Sequence, residues 1–124
     1  MRTGSPRNAF FKGRHRDEYS WFVIGDSLPQ TSVSAETAAK RIMRACRYGQ
    51  AETMVSFPSW MATRFHGMFP GLTSELNAYI NYMLPQPGGI GTDRARGHES
   101  ESDLTRSGLT ALTREAEVAN NEVG

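Results

Sequence analysis

Ser34-Ala35-Glu36-Thr37-Ala38-Ala39-Lys40-Arg41-Ile42-Met43-Arg44-Ala45-Cys46-Arg47-Tyr48-Gly49, followed after a short gap by Thr53-Met54-Val55-Ser56-Phe57-Pro58, is the stretch that decides the fold. Ser34 is a good helix N-cap, and Glu36 sets a negative charge in the first turn. Ala35, Ala38, Ala39, Ile42 and Cys46 recur on one face at helical spacing. Glu36 and Lys40 stand at i, i+4 in the favourable order, and Arg44 and Arg47 suit the negative end of the dipole. Gly49 is a left-handed terminator. The spacing therefore predicts a helix over 34–48. Residues 53–57 are short, partly β-branched and closed by Pro58, which predicts a strand. Helix, tight turn and strand make the second half of a βαβ unit. A strand's backbone groups need a partner, and no convincing second strand is predicted. The expected fold class is an α/β fragment, mostly helical, with an incomplete sheet.

Working outward, residues 1–33 read as irregular, punctuated by Gly4, Pro6, Gly13, Gly25 and Pro29. Met1-Arg2-Thr3-Gly4-Ser5-Pro6 reads as the middle of a loop, and Met1 as an internal residue of a longer reading frame. Tyr19-Ser20-Trp21-Phe22-Val23-Ile24 is expected to be a short strand or a loop covering an apolar site, because aromatics are costly to leave in water. Beyond the strand, Ser59 is placed to cap a helix carrying Met61, Ala62, Phe65, Met68 and Phe69 on one face, and Pro70-Gly71 breaks it. A further helix over about 72–84 aligns Leu72, Leu76, Tyr79, Ile80 and Met83. The predicted organisation is a covering loop over 1–33, a helix and strand over 34–58, a helical hairpin over 59–91 and a mobile polar tail over 92–124. In that tail Leu104, Leu109 and Leu112 are placed to pin one short helix.

The totals exclude several classes. In 124 residues of 38% hydrophobic content a core is possible but thin. The formal net charge of +1 gives no global field toward nucleic acid or membrane. Cys46 is the single cysteine, so no intramolecular disulfide framework exists, which fits a reducing cytoplasm. The start shows no apolar signal core, and no run approaches the roughly 18 apolar residues of a membrane span.

In this order the segments resemble the C-terminal third of bacterial short-chain dehydrogenases/reductases. The likeness rests on Met1-Arg2-Thr3-Gly4-Ser5, Asn8-Ala9-Phe10-Phe11-Lys12-Gly13, Glu18-Tyr19-Ser20-Trp21-Phe22 and Gly25-Asp26-Ser27-Leu28-Pro29. It continues through Ser34–Ile42 and the strand after it, Pro87-Gly88-Gly89-Ile90-Gly91-Thr92 and His98-Glu99-Ser100-Glu101-Ser102. The resemblance implies a Rossmann-like, doubly wound parent that transfers hydride between NAD or NADP and an alcohol or carbonyl substrate. It implies that residues 4–33 match the substrate-covering loop, with Tyr19, Trp21 and Phe22 the candidates for substrate contact. It also implies that Thr3 matches a nicotinamide-binding threonine, conditional on a Pro-Gly pair directly before Met1. In many relatives the last helix and strand form a subunit contact, so a second copy or a relative is the expected protein partner.

The chain departs from the family where the chemistry lies. It contains no strand, Gly-rich turn and helix in sequence, the unit that binds the dinucleotide. A phenol near pKa 10 needs a nearby cation to act at neutral pH, and the family supplies it as Tyr-x-x-x-Lys. None of Tyr19, Tyr48, Tyr79 and Tyr82 has Lys four residues later. No catalytic residue is therefore assigned, and the chain alone is expected to be inactive. Gly88-Gly89-Ile90-Gly91 reads as a flexible link rather than a phosphate cradle. Arg2, Arg7, Lys12, Arg14 and Arg16 read as a solvated loop, since Asp17 and Glu18 cut the run short and no nucleic-acid fold is visible. His15, His66 and His98 lack metal-ligand spacing, and Cys46 is expected to be an inert core thiol. The alternative reading is a non-catalytic module that docks on a partner or membrane surface through its amphipathic helices. Against the membrane, both hairpin helices lack lysine and Arg64 is their sole arginine.

Overall fold

The computed structural model describes residues 1–123. It is mostly helical, with one two-stranded antiparallel sheet. The described residues form two compact units: Met1–Ser32 together with the residues from Pro85 onward, and Val33–Leu84.

In the first unit both chain ends meet. A short 3-10 turn at Ser5–Arg7 leads to β1 (Phe10–Phe11) and α1 (His15–Ser27). From the C-terminal part come β2 (Ala95–Arg96), 3-10 turns at Gly97–Ser100 and Gly108–Thr110, and α5 (Ala111–Ala119), numbered after the three helices of the other unit. Phe10 pairs with Arg96 and Phe11 with Ala95. The Gly97 N–H extends this pairing by donating to the Ala9 carbonyl at 2.9 Å. The sheet therefore joins the two ends of the chain.

The run 19–24 is neither strand nor loop: it is the middle of α1. Asp17 and Glu18 occupy the first turn, where they favour the dipole, and Tyr19, Ser20, Val23 and Ser27 are buried on one face. Residues 92–123 also differ from the mobile tail expected of them, because they supply β2 and α5 and α5 lies against α1. Of the three leucines only Leu112 lies in α5, where it is half-buried. Leu104 and Leu109 are exposed, whereas Thr105, Thr110 and Thr113 are buried. Their hydroxyls are satisfied: Thr110 donates to the Thr105 carbonyl at 2.6 Å, and Thr113 shares a 2.5 Å bond with Ser27. Such pairing is what permits hydroxyls inside.

The glycine turn expected as a flexible link is also held. Ile90 N–H donates to the Gly13 carbonyl at 2.9 Å, and Gly13 N–H to the Gly91 carbonyl at 3.1 Å. A Cβ on Gly89, whose φ is +62°, would sit 2.2 Å from the Gly13 carbonyl oxygen.

The second unit holds α2 (Ala35–Arg47), α3 (Phe57–Met68) and α4 (Pro70–Met83). α2 follows its predicted bounds closely. Ser34 Oγ accepts from Thr37 N–H at 3.3 Å. At the other end Gly49 takes φ +61°, with Gln50 N–H donating to the Ala45 carbonyl and Gly49 N–H to that of Cys46. This double bond pattern closes the helix.

Residues 53–57 are not a strand. Ser56 Oγ accepts from Ser59 N–H at 3.2 Å and caps α3, Pro58 fits the first turn, and Phe57 stacks on Trp60 at 5.9 Å. No described strand lies beside this segment, and Arg41 takes the Val55 carbonyl at 2.6 Å. A helix start with a local cap prevails over a β-run without a neighbour. At Phe69 the chain turns, closing α3 through a bond to the Phe65 carbonyl at 2.8 Å and accepting from Thr73 N–H at 3.0 Å to open α4. Neither α3 nor α4 has a buried residue.

Candidate functional site

The densest polar arrangement lies in the first unit, around the buried ring of Tyr19. α1 presents that ring inward, and Phe11 of β1 meets it edge-on with centroids 5.3 Å apart. The backbone of Gly97 lies against the same ring, where only a residue without a Cβ fits. Around it stand Arg7, Glu101 and Glu117. Arg7 Nη1 pairs with Glu101 at 3.0 Å and reaches Glu117 at 3.9 Å. Glu101 also pairs with Arg106 at 3.1 Å.

Burial, then the carboxylates of Glu117 and Glu101, push the Tyr19 phenol up to about 12, against the opposing pull of Arg7. Burial likewise raises the Glu117 carboxyl, with Arg7 pulling it down and Glu101 pushing it up. The shift runs opposite to that of a phenol prepared for acid/base work at neutral pH. A working phenol needs its pKa lowered by a cation, and this one is displaced the other way. It is a structural ring.

His15 and Ser100 have the outline of a base and nucleophile, with Nδ1 and Oγ 2.9 Å apart. The geometry spends the pair differently. Ser100 is fully buried and its hydroxyl donates to the Arg96 carbonyl at 2.8 Å. With the hydroxyl donating to Arg96, the His15 tautomer protonated at Nδ1 completes this pair. Asp26 is the other notable carboxylate. Its Oδ2 is buried without a hydrogen-bond partner among the described residues. Burial raises its carboxyl, while Arg2 pulls it down.

The residues singled out from sequence are all in this unit, in different environments. Thr3 uses its hydroxyl locally, with Ser5 Oγ at 2.9 Å and Ser5 N–H donating to it at 3.3 Å. Trp21 and Phe22 point outward from α1 and are exposed, although Phe22 keeps an edge contact with Phe11 at 6.3 Å. Tyr19 is separated from these two by burial. Arg7, Glu101 and Glu117 were not singled out together, because the Arg7–Glu101 pair bridges 94 positions and no local spacing encodes it.

Cys46 is not a core thiol: it is exposed. The buried positions of α2 are Ala38 and Ala45, so the burial face is rotated from the one expected. Among the described residues no group of three His, Cys, Asp or Glu side chains could hold a metal ion. The glycine turn 88–91 is filled by the chain's own Gly13 backbone, so it does not fit a dinucleotide phosphate. Comparison with protein-family models, with curated proteins and with solved structures finds no match.

Proposed function

We propose that this chain is the C-terminal portion of a short-chain dehydrogenase/reductase, contributing a substrate-covering segment and closing helices to a parent that holds the catalytic groups. The observation that carries the reading is the unburied apolar surface of α2, α3 and α4. Ile42 and Met43 on α2, and Trp60, Met61, Leu72, Leu76, Tyr79 and Met83 on the hairpin, are exposed. Helices with apolar faces gain their stability from a surface that covers them. α2 with the extended residues after it is the piece that a Rossmann-like sheet would receive. In this reading Trp21 and Phe22 face substrate, an alcohol or carbonyl compound, while Tyr19 anchors their helix. Thr3 takes the nicotinamide position under the condition already given.

In this reading the dinucleotide is held mainly by the parent, and no hydride-transfer step is assigned to the residues of this chain. Two measurements test the reading. Full chain mixed with NAD or NADP and a panel of alcohols and ketones should give no change in reduced-cofactor absorbance; heat-sensitive turnover would refute it. The nucleotide sequence upstream of Met1 should continue in frame through a Gly-rich turn, a Tyr-x-x-x-Lys pair and a terminal Pro-Gly. An in-frame stop immediately before Met1 contradicts the family assignment.

A further inference from the structure

We propose that the unit Val33–Leu84 is a lipid-docking element that lies on an anionic membrane surface, with the α3–α4 hairpin in the interface and the cations of α2 supplying the attraction. The inference assigns to lipid the exposed hairpin residues that the family reading gives to a parent body, and its test below is read without any parent. Its first ground is the composition of the exposed surface. Trp60, Phe65, Phe69, Leu76, Ile80 and Met83 are all exposed on the hairpin. From 57 to 83 the only acidic residue is Glu75. Exposed apolar residues gathered on one short hairpin point to an interaction surface.

The second ground is how the hairpin's polar groups are satisfied. Thr63 donates to the Ser59 carbonyl at 2.9 Å, Thr73 to Phe69 at 3.0 Å and Ser74 to Pro70 at 3.1 Å. These hydroxyls return to their own helices, one turn back, and need no water. The tip is aromatic, with the Phe65 and Phe69 rings 5.4 Å apart. Arg64 lies over Trp60 at 5.7 Å, pairing an apolar body with a charged head as interfacial anchors do.

The third ground is charge, and it reverses the weighting drawn from the hairpin alone. α2 belongs to the same compact unit, and Arg41 is bonded to the Val55 carbonyl just ahead of α3. Lys40, Arg41, Arg44 and Arg47 are exposed, and no acid occurs between Glu36 and Glu52. Anionic headgroups complement this basic helix. A second copy would bring like charges together there, which opposes self-association through the unit. α4, of 14 residues, is about 21 Å long at ~1.5 Å per residue. No described helix is long and apolar enough to cross a membrane, and the proposal lays the hairpin along the surface.

The test uses the full chain carrying Trp21→Phe, so that Trp60 alone reports. It is mixed with phosphatidylcholine vesicles, with and without phosphatidylglycerol, and followed by co-sedimentation and emission. Binding confined to the phosphatidylglycerol vesicles, weakened by added salt and accompanied by a blue shift of Trp60, is the expected result. Arg44→Gln/Arg47→Gln should lower affinity about fivefold for each cation removed. Leu76→Ser/Ile80→Ser should remove the blue shift while circular dichroism stays unchanged. Salt dependence of the unsubstituted charge set gives the same information should a variant unfold. Absence of binding to anionic vesicles, equal binding to neutral ones, or a stable dimer without vesicle binding overturns the proposal.

Discussion

Gly97→Ala should sharply destabilise the first unit, and the structure supplies the magnitude. The added Cβ would lie 2.0 Å from the Pro6 carbonyl oxygen, 2.8 Å from that of Arg7 and 2.8 Å from Cε2 of Tyr19. Two of these neighbours are backbone, which cannot rotate away. Ordinary contact begins near 3.4 Å, so the Ser5–Arg7 turn or the Gly97 segment must retreat by more than an ångström. That retreat strains the bond from Gly97 N–H to Ala9 and lifts the backbone from the Tyr19 ring. Overpacking costs about 1–3 kcal/mol, and losing the hydrogen bond adds ~1 kcal/mol. A total of about 2–4 kcal/mol is a large share of the ~5–15 kcal/mol that holds an ordinary domain. Urea unfolding read by Trp21 fluorescence, in a Trp60→Phe background, should shift its midpoint down by about 1 M or more. Gly25→Ala is the matched control. Gly25 lies inside α1 with nothing within 4 Å of its Cβ position, so the gain in helix propensity should stabilise by about 0.5–1 kcal/mol. An unchanged midpoint for Gly97→Ala would refute the close approach of the two chain ends.

Three further outcomes are expected. The folded Tyr19 phenol, raised from 10.0 to about 12, ionises later than the unfolded one, so its stabilisation is intact below pH 10 and lost as pH rises through 12; Tyr19→Phe should remove that alkaline loss in urea midpoints measured against pH. Glu117 and Asp26 are raised from their ordinary values, so the folded state holds their protons more tightly, their stabilisation is lost as pH rises from acid toward neutral, and Glu117→Gln should flatten that slope as seen by circular dichroism. Ser27→Ala leaves the buried Thr113 hydroxyl without its 2.5 Å partner and should cost about 1–3 kcal/mol, whereas Ser27→Ala with Thr113→Val should cost less than the single change; additive losses in the thermal midpoints would contradict the pairing.

What the sequence disclosed was local. α2 was legible because its signals agree with one another: Ser34 caps it, Glu36 and Lys40 pair along it, and Gly49 closes it. The boundary between the hairpin helices was legible because Pro70 sits where one ladder must stop and the next begins. The first unit was not legible, since its partners lie almost a chain length apart. Arg7 finds Glu101, Ser27 finds Thr113, and Asn8 donates to the Glu122 carbonyl at 3.1 Å. Periodicity also misled at α1, where Tyr19–Ile24 hides a helical burial pattern inside a β-favouring run, and at 53–57, where a cap outweighed β-branched side chains without a neighbouring strand.

A deeper reason concerns the assumption that apolar faces turn inward. In the first unit Thr105, Thr110, Thr113 and Ser100 are buried, and in the second Trp60, Met61, Phe65, Tyr79 and Met83 are outside. Buried hydroxyls are sustainable because each is bonded within the chain. Exposed aromatics have no such internal compensation, since nothing within the unit removes them from water. In Val33–Leu84 the imbalance is general, since α3 and α4 bury no residue, and it is relieved only by a surface this unit does not contain. α2 offers that surface two faces of opposite character. Ala39, Ile42 and Cys46 share its apolar side, while Lys40, Arg44 and Arg47 lie on the other. In the proposed family reading a parent sheet would cover the first, and in the proposed lipid reading an anionic surface would meet the second, so the two proposals make separate demands on one helix. Substituting the cations should leave complementation by a parent body intact while releasing the chain from vesicles, and loss of both together would show that the two faces do not act apart.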